Sequence, residues 1–226
     1  PLFGRTLRRA GLESLAARGL PGPSDEEWRH TSGATIARRL PEAVLRDAAP
    51  GTRDLAARSA LAALGPLGVA GRKHHQLVLV NGRLDAELSR FDGLPPGVSF
   101  EPLSRLLPAP PELLEKRLGL LGGHRTHPFV AMNAAFLADG AFVQVPDGVV
   151  LAEPLLLVHV ADGSAGPTAS HPRVVVSLGE NARATVVEVY CGTGASFVNA
   201  ASEIVLGPHS HLDHAKLQEE SPEAFH

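Results

Sequence analysis

The spacing of apolar residues changes character twice along the chain. Over residues 2–64, Phe3, Leu7, Ala10 and Leu15 recur at a loose helical period, and Gly19-Leu-Pro21 closes this first run. Ser24-Asp-Glu-Glu27 has the form of a capping box, in which the Ser24 hydroxyl and the Glu27 carboxylate satisfy each other's backbone amides. Pro41 suits a helix start and Pro50-Gly51 its stop, and Asp54 can cap an Ala/Leu run reaching Leu64. From Gln76 the pattern is that of a strand, and Asn81-Gly82 predicts a tight hairpin, because both residues tolerate positive φ. The returning strand is expected over Arg83–Leu88, so the hairpin occupies about 77–88. A loop with one short strand then runs from Phe91 to Pro102. Helices are predicted over Pro111–Leu121 and Pro128–Leu137, the second apolar on most sides and therefore buried.

From Val149 onward, short aliphatic runs alternate with Gly, Pro and Asn. Gly148, Gly179 and Gly207 mark three such units, 31 and 28 residues apart. A repeat of this length, made of strands without intervening helices, predicts stacked coils, a β-solenoid. The chain then divides into a helical and mixed N-terminal region, residues 1–140, and the first coils of a parallel β-helix core, residues 141–226.

Composition narrows the reading. Hydrophobic residues make up 44% of the 226, enough for a sizeable core, but aromatics only 4%, so that core is built from Leu, Val and Ala. The net charge of -3 is too small to argue for nucleic acid. It is unevenly spread: residues 1–75 carry +5 and the remainder -8. Arg-rich helix faces in solvent explain this better than a basic docking arm. No apolar run approaches the ~18 residues of a membrane span and no signal peptide is visible, so a cytoplasmic location is the default. The chain begins at Pro1, which suggests a processed or incomplete start.

Few residues suggest chemistry. Cys191 is the single cysteine, so no disulfide forms within the chain. It is either a sulfur acceptor, since a thiolate can carry persulfide sulfur, or a small buried hydrophobe, and the second is favoured. One cysteine cannot hold an iron–sulfur cluster alone, because such clusters usually take four ligands. His209, His211, Asp213 and His214 form the densest ligand-like group. In a strand, 209, 211 and 213 share one face and could bind iron or zinc. Leu212 and Leu217 differ in parity, which predicts a corner within this stretch, and Pro208 places His209 in a turn. Solvated histidines are therefore favoured over a metal site. His74-His75, His124, His127 and His171 read as loop residues. Glu153, Glu180 and Glu188 show no spacing that argues for glycoside chemistry. No phosphate-binding Gly-x-x-x-x-Gly-Lys-Ser/Thr loop is present.

Several motifs, taken in order, resemble the SufD family of iron–sulfur cluster assembly proteins. They are Asp25-Glu-Glu-Trp-Arg-His-Thr31, Leu77-Val-Leu-Val-Asn-Gly-Arg83 with Ala86-Glu-Leu-Ser89, Phe129-Val-Ala-Met-Asn-Ala-Ala-Phe136 with Asp139-Gly140, residues 148–154, Leu178-Gly-Glu-Asn-Ala182 and Lys216-Leu-Gln-Glu-Glu220. The resemblance covers nearly the whole chain. It implies a mainly β fold with a helical N-terminal region leading into a right-handed parallel β-helix. It also implies a non-catalytic scaffold subunit that pairs through its β-helix with a SufB-like partner. A SufC-like ATPase would bind a C-terminal region beyond this sequence, since family members are roughly twice as long. A fragment, truncated at the C-terminal end of the β-helix, is the corresponding expectation. The family's cluster-linked histidine lies in a later coil, so no catalytic residue is carried over. No cofactor is expected on this stretch alone, and an iron–sulfur cluster only in complex with a partner. No nucleic acid or membrane partner is expected. The alternative is a metal-dependent β-solenoid or cupin-like enzyme using His209, His211 and Asp213.

Overall fold

A computed structural model describes residues 2–22, 25–28, 75–91, 93–119, 123, 127–164 and 166–226. The capping box expected on Ser24 and the helical runs expected from Pro41 and Asp54 lie outside the described residues, as do His74 and His124.

The first apolar run forms helix α1 (Leu2–Arg18). Gln76-Leu-Val-Leu-Val80 lies in strand β1 (His75–Val80), and Asn81 and Gly82 adopt φ of 49° and 73° at the hairpin tip. The returning strand β2 is only Arg83–Leu84, shorter than expected. Its pairing stops because the Asp85 side chain accepts the Glu87 and Leu88 amides and turns the chain away. Strand β3 (Ser99–Pro102) leads directly into a short helix α2 (Leu103–Leu106), which the sequence reading missed, and α3 (Glu112–Arg117) follows. The Asn133 helix is α4 (Pro128–Ala135), with Pro128 in its first turn and Ala131 to Ala135 buried. Strands β4 (Gly140–Val145), β5 (Leu155–Asp162), β6 (Thr168–Ser170), β7 (Arg173–Leu178), β8 (Arg183–Thr193), β9 (Ser196–Val198), β10 (Ala201–Leu206), β11 (His211–Glu219) and β12 (Ala224–Phe225) complete the chain.

These strands form three sheets, in the orders β11-β8-β5-β1-β2, β10-β7-β4-β3 and β12-β9-β6. Strands three apart in sequence pair in parallel. Leu155 stands opposite Val186, and Val186 opposite His214, so the 31- and 28-residue intervals of the sequence reappear as strand registers. The expected mainly β, right-handed parallel β-helix is nevertheless corrected to a mixed α/β arrangement. The two larger sheets are themselves mixed, since β2 and β3 pair antiparallel at their ends, and none of the sheets closes into a solenoid. The hairpin and the helices account for the difference. They belong to the same sheets and cores as the repeated strands, so the strand repeat is only part of the structure.

Burial explains the layering. The inner faces of the two larger sheets meet in a core of Leu77, Leu79, Leu155, Leu157 and Val186 against Phe100, Val143, Val174 and Val176. The outer face of the four-stranded sheet is also apolar, through Phe142 and Val175, and needs a cover. Leu7 of α1, Leu103 of α2 and Leu114 of α3 provide it. Helix α1 approaches α4 closely because position 11 is glycine: a Cβ there would lie 2.6 Å from the Ala131 carbonyl oxygen. Asp139 joins sheet and helix, its carboxylate accepting the amides of Leu84, Ser104 and Gly140. No helix among the described residues is long and apolar enough to cross a membrane.

One polar node lies inside this layer. Arg173 is fully buried, and its Nε donates to Glu203 Oε1 at 2.8 Å. Nη2 lies 2.7 Å from the same oxygen but is not aligned as a hydrogen bond. Nη1 donates to Asn133 Oδ1, while Asn133 Nδ2 donates to the carbonyls of Pro172 and Asn199. Glu203 also accepts the Gly119 amide beyond α3. Removing one member strands a charge in a dry site. Glu203→Ala is therefore expected to cost about 3–5 kcal/mol, read as a lowered urea midpoint, and Asn133→Ala about 1–3 kcal/mol. A midpoint unchanged in both variants would show that the node does not hold the helices to the sheet.

Candidate functional site inside the strand stack

In-register pairing makes each inward position of β5 the floor for the equivalent position of β8 and then β11. The row Leu77–Leu157–Glu188–Lys216 begins apolar and ends charged. Beside it, Leu79–His159–Tyr190–Gln218 does the same. The interior of the stack thus turns from aliphatic to polar along its length.

Glu188 is the centre of this polar end and is 1% exposed. Its Oε2 accepts the Tyr190 hydroxyl at 2.6 Å. Its Oε1 accepts from His214 Nε2 at 2.8 Å and from the Ser202 hydroxyl at 3.2 Å. Burial pushes the carboxyl upward, but Tyr190, His159 and His214 together outweigh it and hold Glu188 below the ordinary carboxylate range. Burial and the adjacent carboxylate raise the Tyr190 hydroxyl, so it stays a donor. His159 stacks on the Tyr190 ring at 4.3 Å, with 8° between planes, and neither ring nitrogen has a protein partner. Burial lowers its pKa to about 4, against a weaker upward pull from Glu188, so the ring is neutral near pH 7.

A second chain of contacts sits at the rim. Lys216 Nζ lies 4.5 Å from the Tyr190 ring centre and 2.7 Å from His226 Nε2. An ammonium can only donate, so Nε2 accepts and His226 Nδ1 carries the proton donated to Glu220 Oε2 at 3.0 Å. Burial raises the Glu220 carboxyl, but His226, Gln218 and Lys216 bring it below its usual value.

The residues singled out in the sequence do not form one site. His209 occupies the third position of an exposed turn, with φ of 56°, where the equivalent turns hold Asn181 and Gly148, both also at positive φ. His211 and Asp213 do share the outward face of β11, 3.1 Å apart and both exposed, with Arg183 3.8 Å from Asp213. His214 points the other way, to Glu188. No group of three His, Cys, Asp or Glu side chains is placed for a metal ion among the described residues. The corner expected between Leu212 and Leu217 is absent, because β11 is continuous. Each face of this sheet has its own apolar layer: Leu212 packs on the inner core and Leu217 on the outer one. Cys191 lies in that outer layer beside Val78, Val80, Val160 and Val189. Burial, with a smaller contribution from Glu220, pushes its thiol up to about 12, so it is protonated at neutral pH. His171, read as a loop residue, is buried against Phe136 and Phe197, and burial lowers it to about 4.

The Glu188 network escaped the sequence reading. The available signal was a glutamate and a tyrosine at inward parity in a strand otherwise apolar on that face. Without the register, nothing placed His159, His214 and Ser202 around them.

Comparison with known proteins fits this architecture. Residues 68–157 match the family model described as SufBD protein N-terminal region, and residues 159–226 match SUF system FeS cluster assembly, SufBD core domain. The chain belongs to the SufBD family. It is 28% identical over 230 residues to an iron–sulfur cluster assembly SufBD family protein of Synechocystis sp., covering 97% of this chain and 48% of that protein. It is 26% identical over 219 residues to the iron–sulfur cluster assembly protein SufD of Escherichia coli, covering 95% and 46%. The chain therefore spans about half the length of these curated relatives. In this SufBD chain the two matched regions meet inside β5, between Leu157 and His159. The buried Glu188 network lies wholly within the core-domain match, and the hairpin and α4 lie in the N-terminal match.

Two outcomes are expected. His159 has a folded pKa near 4 against 6.5 unfolded, so its stabilising contribution is complete above pH 6.5 and is lost as pH falls toward 4. The loss amounts to at most about 3 kcal/mol. Urea melts between pH 7 and pH 4.5 should show the decline, and His159→Phe should flatten it; an equal decline in the variant would assign the effect elsewhere. Separately, Cys191 should react with a thiol reagent at least about a hundredfold more slowly in the native protein than in urea. Comparable rates would mean that the thiol is accessible.

Proposed function

We propose that this chain forms the first half of a non-catalytic scaffold subunit in iron–sulfur cluster assembly. It pairs with a SufB-like subunit and works beside a SufC-like ATPase, and the cluster is cargo rather than a resident cofactor. The observation that carries the reading is the family match over residues 68–226, laid on a structure whose single cysteine is buried and protonated. A stretch without an available thiolate offers rigid, registered surface rather than cluster ligands. In this reading the ligands come from the partner or from other parts of the assembly. The parallel stack suits that role, since side chains held in rows by backbone pairing move little when a neighbouring subunit pulls on the sheet.

Co-expression of the full-length protein with SufB-like and SufC-like subunits tests this. The three are expected to co-elute, and Cys191→Ala is expected to leave the iron and sulfide content of the reconstituted complex unchanged. Elution of the chain alone overturns the partnership. An intact complex that loses its cluster in the Cys191→Ala variant overturns the purely scaffolding role.

A further inference from the structure

The helical layer does not cover the whole outer face of the four-stranded sheet. Helix α3 anchors Leu114 against that face and ends at Arg117. Beyond it, the C-terminal ends of β4, β7 and β10 and the turns that follow them border a groove of about 420 Å³. That volume lies within the range of ligand and peptide sites.

Two features of this groove are unfinished. The first is Arg117, whose Nε is buried without a hydrogen-bond partner. A buried guanidinium N–H without an acceptor is costly, and the side-on pairing of arginine with a carboxylate uses this N–H together with one from Nη2. The second is Leu206, which is 47% exposed and lines the same groove with Val205 and Leu113. It is one of four large hydrophobic side chains exposed to this degree among the described residues, and the only one of them in the groove.

The remaining charges set a limit. Asp147 and Glu180 also line the groove, and Asp147 Oδ1 accepts the Glu180 amide at 2.8 Å. They repel additional acidic groups. We propose that this groove docks a peptide segment of a partner protein, one bearing a single acidic side chain next to an aliphatic one. The carboxylate pairs side-on with Arg117, the aliphatic side chain covers Leu206 and Val205, and Asp147 and Glu180 discriminate against runs of acidic residues. The inference stands apart from the cluster-assembly reading, because it rests on the groove alone.

The test is an NMR titration of the isotopically labelled chain with three blocked peptides. They are acetyl-Ala-Leu-Glu-Leu-Ala-amide, its Gln analogue and acetyl-penta-Glu-amide. The single-Glu peptide is expected to shift the Arg117 Nε–H and the Val205 and Leu206 amides, and to bind about tenfold more tightly than the Gln analogue. Penta-Glu is expected to bind no better than the Gln analogue. Arg117→Gln should abolish the difference between Glu and Gln peptides, and Arg117→Lys should remove most of it, since lysine keeps the charge but not the fork. Leu206→Ser should weaken both peptides alike. Unchanged amide spectra outside the groove establish that the variants are folded. Equal affinity for the Glu and Gln peptides overturns the proposal, as do tighter binding of penta-Glu, shifts confined to other surfaces, or no shift up to about 10 mM peptide, weaker than any useful docking contact.

Discussion

Parallel, in-register pairing between strands three apart in sequence is the constraint on which the structure depends. Once Leu155 lies opposite Val186 and Val186 opposite His214, every inward residue has its neighbours above and below decided. Hydrophobic matching then favours rows of like side chains, as in Val143 on Val176 and Val176 on Ile204. The same rule makes a polar residue propagate. A buried Glu188 requires polar neighbours one level on, and Tyr190, Ser202 and His214 meet that need with donors. The charged end of the stack is thus a consequence of register as much as of composition.

The helical layer is fixed by a different kind of contact. Apolar packing of Leu7, Leu103 and Leu114 on Phe142 and Val175 is non-directional and would tolerate sliding. The Arg173–Glu203–Asn133 node adds direction, because a planar guanidinium meets its acceptors in few orientations. Asn133 reaches the carbonyls of Pro172 and Asn199, which lead into β7 and β10, so one helix residue registers two consecutive levels of the sheet. Asp139 does the same for the hairpin, α2 and β4. Both are short polar side chains whose value lies in where the backbone carries them.

Local signals were legible wherever they depended on backbone preference. Asn81-Gly82 gave its hairpin tip, Pro128 its helix start, and the aliphatic runs near 76, 141, 155 and 174 their strands. Return strand β2 was overestimated, because the competing claim of the Asp85 side chain on two backbone amides is visible only in three dimensions. Helix α2 was overlooked because four residues carry no periodicity. The apparent corner near Leu212 arose from assuming that a strand has one apolar face. The largest sheet has two, so its strands read as mixed parity.

By itself the sequence determined the strand interval, the family and the buried character of its cysteine, because these follow from spacing, ordered motifs and residue type. Tertiary structure decided how strands, hairpin and helices share sheets, and it drew mixed sheets where a solenoid was expected. It also decided that His209, His211 and Asp213 stay at the surface while His214 turns inward to Glu188. The reason is parity and register. One residue's shift along a strand sends a side chain to the opposite face, and the partner that makes it a site comes from a strand about thirty residues away.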